Sequence, residues 1–293
     1  MTAVLSHGLS SGALAALFTV GIALAWRVVG LIDFHLPAVF VVAGYGSVSF
    51  QDLGLPLLPS AVLGVGAAAG YAALLFLLAH RPLLRRGANP DAILIATLGL
   101  LAMAQATLGW VYGPVRRYPF SGVQTTVEVV GFRFSTADLA AIGLAILLIP
   151  ALLTFLRRTS LGLSLEALSE NRQLALVTGV NEPAAQVLTY VLVAVFAGAA
   201  GVVSGVVAGV DPAIGVGPFL VAFGAVLVGG HQSLVRPVAA AVLLQVVVAL
   251  ISWQLPAQWD RTVLFTAIVV TLLARRIVVR QVQRRRVMQL AAS

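Results

Sequence analysis

The sequence contains no cysteine and no lysine, and four histidines among its 293 residues. Without cysteine there is no disulfide and no thiolate metal site. Without lysine there is no phosphate-binding loop of the Gly-x-x-x-x-Gly-Lys-Ser/Thr type, because that lysine must reach the nucleotide phosphates. If ATP drives this protein, the nucleotide sits on a partner and this chain binds no cofactor itself. The histidines His7, His35, His80 and His231 are scattered. They show no metal-ligand spacing, and none belongs to a His-Glu-x-x-His pattern. No Gly-x-Ser-x-Gly nucleophile elbow is read in the sequence, so the chain is expected to be a non-enzyme.

Charge is also scarce. Only 10% of residues are charged, against about 25% in soluble chains, while 60% are hydrophobic and the mean hydropathy is +1.03. This composition predicts an all-α, polytopic transmembrane bundle embedded in lipid, folded as one domain over 1–293. The net charge of +8 comes from arginine alone. In a membrane protein such an excess marks cytoplasmic loops and not a nucleic-acid surface. Residues 1–10 lack a positive stretch before the first apolar run, so no signal peptide is expected.

What is abundant is apolar sequence. A spanning helix needs roughly 20 apolar residues, and the runs predict about 8–9 membrane segments. They are Leu9–Trp26, Leu36–Phe50, Ser60–Leu78, Ala92–Val111, Ala137–Leu156, Val187–Val207, Gly217–Gly230, Pro237–Leu250 and Thr262–Leu273. The second is short, which suggests a tilted, partly buried or broken segment, and the seventh suggests a re-entrant helix. Gly198, Gly201 and Gly205 in the sixth suit close helix packing. The alternation in Thr125–Val130 suggests a small surface hairpin. Threading nine segments with 157–186 inside leaves Arg116, Arg117, Arg133 and Arg261 outside and the other fourteen arginines in the cytoplasm. The basic tail 275–293 is then cytoplasmic and the N-terminus outside. Gly30-Leu31-Ile32-Asp33 with Pro37 is echoed by Gly209-Val210-Asp211 with Pro218, on the opposite side of the membrane, as an inverted repeat requires.

Polar groups at membrane depth are candidates for a substrate pathway. Gln105 and Gln245 fall near the middle of the fourth and eighth runs. Asp33, His35 and Asp211 fall at segment junctions, where unwound backbone can line a cavity or simply meet water. All ten acidic residues fall at segment ends or in loops, and none falls in the middle of a run.

The stretch 157–186 stands apart, with three arginines and three glutamates between two apolar runs. Each central charge in hydrocarbon costs roughly 2.5–3.5 kcal/mol, so this stretch lies in water. Ser164 is placed to cap a helix with Glu166 in its first turn, running to about Leu176 and stopped by Gly179. Asn181 is placed to cap the next helix, with Glu182 and Pro183 in its first turn.

The run Glu170-Asn171-Arg172, then Ala175, then Gly179-Val180-Asn181, resembles the cytoplasmic coupling loop of branched-chain amino acid ABC importer permeases, and the resemblance extends over most of the chain. Asp33-Phe34 followed by Gly44-Tyr45, and Gly229-Gly230-His231-Gln232-Ser233, resemble two further motifs of that family. Glu166-Ala167 stands where the family usually has Arg-Ala. The resemblance implies a type II-like ABC importer permease in the bacterial plasma (inner) membrane. It implies ABC ATPase subunits docked on Glu166, Ala167, Glu170, Asn171, Arg172, Ala175, Gly179 and Asn181. A second permease subunit and an extracytoplasmic solute-binding protein complete the implied assembly. The implied solutes are branched-chain or other hydrophobic amino acids, with urea, short amides or another small solute as alternatives. The competing class is a self-sufficient secondary transporter or channel, which would need buried carboxylates within its spans.

Overall fold

In hydrocarbon a chain must satisfy its own backbone hydrogen bonds, and long apolar runs do so as helices. The computed structural model describes residues 2–113, 115–119, 125–129, 132–230 and 232–252, with isolated positions at 262, 263, 266, 269 and 270. His231, Arg261, most of the ninth run and the basic tail lie outside the described residues.

The helices are α1 (Thr2–Val29), α2 (Leu36–Asp52), α3 (Leu57–Leu75), α4 (Arg81–Arg85), α5 (Pro90–Tyr112), α6 (Thr136–Arg158), α7 (Ser160–Glu170), α8 (Arg172–Val177), α9 (Glu182–Ala208), α10 (Val216–Gly229) and α11 (Val235–Ser252). A π turn, Phe76–His80, joins α3 to α4, making one rod of 29 residues. Strands β1 (Thr126–Val129) and β2 (Phe132–Ser135) form the expected hairpin, antiparallel with Thr126 opposite Ser135. Ser135 then starts α6 through a capping box with Asp138. Where the sequence suggests eight or nine segments, the described residues hold six helices long and apolar enough to cross a membrane. The second and seventh runs form the shorter α2 and α10.

α1 is the buried centre, packed against α6, α9, α10 and α11, while α2 packs on α3 and α9. Leu17, Phe18, Phe40, Val193, Ala197 and Ala200 fill the space between α1, α2 and α9. The glycines of α9 allow this approach: a Cβ on Gly198 would stand 3.1 Å from Ala43 Cβ, and one on Gly201 would strike the Phe40 carbonyl. α5 by contrast presents Ile95, Met103 and Trp110 outward.

The two ends of the bundle are distinct. At one end Arg27 of α1 reaches Glu166 of α7 at 3.8 Å. At the other, Arg116 contacts Asp211 at 3.1 Å and Arg117 contacts Asp52 at 3.5 Å, while Arg117 and Val210 form an isolated antiparallel bridge. α1 therefore runs towards the Arg27 end and α9 away from it. Each long helix stops at a glycine with positive φ, Gly30 at 79° and Gly209 at 74°. Each is followed by an aspartate whose Oδ1 accepts a backbone N–H two residues on, from His35 at 2.8 Å and from Ala213 at 3.0 Å. A short helix follows in both cases, and the two breaks meet where Gly215 packs on Pro37. The sequence echo thus corresponds to matching helix–break–helix units of opposite direction.

Candidate functional site

Two arrangements carry functional groups, an exposed loop at the Arg27 end and a buried polar cluster at the break after α1.

The loop consists of α7 and α8. Its first cap is Thr159, whose Oγ1 accepts from Gly162 N–H at 3.0 Å, and not Ser164, whose hydroxyl donates back to Ser160 O at 2.9 Å within the helix. The helix also does not run unbroken to Leu176. Asn171 adopts an extended conformation, ends α7 and caps α8 by accepting from Leu174 N–H at 3.0 Å. An Asn whose side chain competes for backbone donors divides a helix in this way. Gly179 has φ +87°, Gly179 N–H donates to Leu176 O, and Val180 N–H donates to Ala175 O. That paired bonding is the Schellman closure, and it needs the left-handed residue at Gly179. Asn181 caps α9 as expected, accepting from Ala184 N–H at 3.3 Å.

Burial sorts the loop residues. Leu165, Leu168 and Ala175 anchor the loop to the bundle, and Ala167 packs beside them. Glu166 is tied to Arg27, which gives the acid at this position its partner. Arg172 Nε stands 2.7 Å from Glu182 Oε1, joining α8 to the first turn of α9. Glu170 lines a polar cleft of about 500 Å³ with Trp26, Arg27, Gly30, Ser169 and Gln232. Outward from this framework stand Leu161, Leu163, Leu174, Leu176 and Val177, the last 85% exposed.

The second arrangement excludes, for Asp33, the water-facing one of its two alternatives. Asp33 is 4% exposed and His35 1%. Asp33 Oδ2 accepts from the Tyr190 hydroxyl at 3.0 Å, and Oδ1 accepts from His35 N–H at 2.8 Å. His80 Nε2 lies 2.9 Å from the same Oδ2 in a close contact that is not a well-directed hydrogen bond. His35 Nε2 shares a 2.7 Å hydrogen bond with the Tyr71 hydroxyl, and Phe34 N–H donates to Thr97 Oγ1 at 3.3 Å. A buried carboxylate is tolerable here because each oxygen accepts one hydrogen bond and the His80 ring stands against Oδ2. Asp33 thus lies at a segment junction, between α1 and α2, with its carboxylate buried in the bundle. The π turn decides the geometry, since the extra residue it inserts turns His80 inward beside Asp33.

The other pathway candidates are not brought to this cluster. Asp211 lies at the opposite end, paired with Arg116. Gln105 in α5 and Gln245 in α11 are each half-buried and separate. His80 was noted only as one of four scattered histidines, and Tyr71 and Tyr190 went unnoticed because they lie within apolar runs. The signal was the α9 spacing Glu182, Gln186, Tyr190, at i, i+4 and i+8. Gly8-Leu9-Ser10-Ser11-Gly12 does spell Gly-x-Ser-x-Gly, contrary to the reading above. It lies inside α1 with Ser10 Oγ bonded to backbone carbonyls, and it lacks the strand-to-helix turn of an elbow. Among the described residues no three His, Asp or Glu side chains gather as metal ligands.

Residues 4–273 match the family described as "Branched-chain amino acid transport system / permease component". The chain belongs to this family of permeases. Curated relatives include the high-affinity branched-chain amino acid transport system permease protein LivH of Escherichia coli K12, 26% identical over 284 residues and 91% of each chain. BraD of Pseudomonas aeruginosa, another protein of that description, is 26% identical over 288 residues and 92% of each chain. A probable branched-chain amino acid transport permease protein LivH of Methanocaldococcus jannaschii is 25% identical over 268 residues, 89% of this chain and 84% of its own. Among solved structures, "PsaBC from Streptococcus pneumoniae in complex with Fab" shares the fold, with TM-score 0.52 at 15% identity over 92% of this chain and 90% of its own. The chain is an ABC-importer permease of the branched-chain amino acid type and an integral membrane protein.

Proposed function

We propose that this chain forms the translocation pathway of an ATP-driven importer in the plasma membrane and docks a separate ATPase through 157–186. The proposed solutes are branched-chain or other hydrophobic amino acids, delivered by an extracytoplasmic binding protein to a pair of permease subunits. The observation that carries the reading is the outward face of α7 and α8. Leu161, Leu163, Leu174, Leu176 and Val177 are exposed on a loop too rich in charge to enter lipid, yet buried Leu165, Leu168 and Ala175 hold it rigidly. An apolar, rigidly held surface in water fits a protein partner. The nucleotide belongs to that partner, since this chain has no lysine to build a phosphate-binding loop. Among the described residues Asp33 is the one buried carboxylate, the kind of group an ion-coupled carrier uses. Its two oxygens, however, already accept from Tyr190 and His35, and His80 stands 2.9 Å from one of them.

Val177→Asp places a charge at the most exposed point of the docking face and cannot strain the bundle. Its co-purification with the ATPase is expected to fall about tenfold or more, the effect of losing one interface anchor. Permease yield should be unchanged. Undiminished recovery of the ATPase would remove this loop as the docking surface. Uptake by the assembled complex, challenged with leucine, isoleucine, phenylalanine, urea and acetamide, tests the solute class. Preference for urea or acetamide would overturn the amino-acid assignment.

A further inference from the structure

The polar contacts of α9 connect the loop to the buried cluster. At its first turn Glu182 Oε1 takes Arg172 Nε of α8 at 2.7 Å and accepts from Gln186 Nε2 at 3.0 Å. One turn beyond Gln186 on the same face, Tyr190 donates to Asp33. Gln186 is 7% exposed and Tyr190 2%, so both act inside the bundle. Eight helical residues separate Glu182 from Tyr190, about 12 Å along one rigid rod. That rod is tied at its start to the docking loop and farther along to the break between α1 and α2.

The third member of the joint sits on a π turn. His80 closes the π turn Phe76–His80, and Phe76 and His80 both pack their rings on Tyr190, at 4.9 and 5.2 Å between centroids. A π turn carries one residue more than the α-helix. Regularising it would rotate the residues on one side by about 100°, a residue's share of a helical turn, and take His80 off Asp33. Movement of α9 and the state of the π turn therefore act on the same carboxylate.

We propose that Asp33, His80 and Tyr190 form the joint through which movement of the ATPase-docking loop reaches the α1–α2 break. They are positioning residues, because none is shown to meet solute. This inference rests on the importer reading above, and its test separates the two. The permease assembled with its ATPase and binding protein is reconstituted into proteoliposomes, and leucine transported and ATP hydrolysed are measured together. Tyr190→Phe keeps the ring and removes the hydroxyl, and His80→Gln keeps a polar group of similar reach. Each variant is expected to assemble and hydrolyse ATP, with leucine transported per ATP lowered about fivefold or more, the scale of a coupling energy between sites. The double variant should be no worse than the poorer single one, because the two act on one carboxylate. A purely structural role would lower transport and hydrolysis in proportion through loss of folded complex. That outcome, or a ratio within about twofold of wild type for both variants, overturns the joint. Wild-type liposomes that take up no leucine on ATP addition would instead defeat the importer reading or its solute.

Discussion

Gly179→Val is expected to abolish or strongly reduce ATP-driven uptake while leaving normal amounts of protein in the membrane. Gly179 holds φ +87° and closes the loop by donating to Leu176 O, while Val180 N–H donates to Ala175 O. A side chain in this left-handed conformation costs roughly 1–2 kcal/mol, and β-branching adds to it. No atom lies within 4 Å of a Cβ built there, so the effect comes from backbone conformation and not from crowding. The strain is relieved by opening the closure, which releases α8 and its exposed Leu174, Leu176 and Val177 from their set orientation. The spanning helices are held by burial elsewhere. Two variants check the cause. Gly179→Asn should retain most uptake, since Asn enters the left-handed region readily. Gly143→Val, in α6 with open space around it, should also transport normally. Leucine uptake per unit of membrane-inserted permease is the measurement. Normal uptake by Gly179→Val would show that this closure does not orient the docking face.

Gly201→Val is expected to act on the fold itself, leaving little or no permease that extracts as a monodisperse species. The Cβ would fall against the Phe40 carbonyl oxygen, with the carbonyl carbon at 2.9 Å. Both atoms are backbone, so no rotamer change relieves the clash, and α9 must part from α2. Those helices meet within the buried core, with Phe40, Ala197 and Ala200 all 2% exposed or less. Overpacking a well-filled core costs about 1–3 kcal/mol when side chains can adjust, and more when they cannot. Gly66→Val in α3, where a Cβ meets nothing, is the matched comparison and should behave as wild type. Size-exclusion profiles of the extracted proteins decide the outcome. A Gly201→Val profile equal to that of Gly66→Val would mean that α9 and α2 do not pack as described.

The exposed loop and the buried cluster differ in how far they could be read in advance. Capping and stopping chemistry is local, so Gly179 and Asn181 were legible from the residues beside them. The same local reading misplaced the first cap, because Ser164 and Thr159 are both competent. Which one starts the helix depends on how α7 turns back under α6, where Gly162 packs on Phe155 and Leu156. Asn171 was legible as a loop residue, but not as the point at which one helix becomes two.

Composition and the order of apolar and charged runs determined that this chain is a helical membrane protein, because bilayer thickness and the cost of charge in hydrocarbon leave few other solutions. The spacing of Gly198, Gly201 and Gly205 marked where α9 packs, and the missing lysine excluded a phosphate-binding loop of the usual type from this chain. Tertiary structure alone decided that Asp33 is buried, that a π turn presents His80 to it, and that Tyr190 meets it from 157 residues away. A lone polar residue in an apolar run costs nothing if its partner arrives from another helix, and that arrival depends on helix rotation and depth. Residue spacing along one helix defines a face. What that face meets is set by packing among helices far apart in the chain.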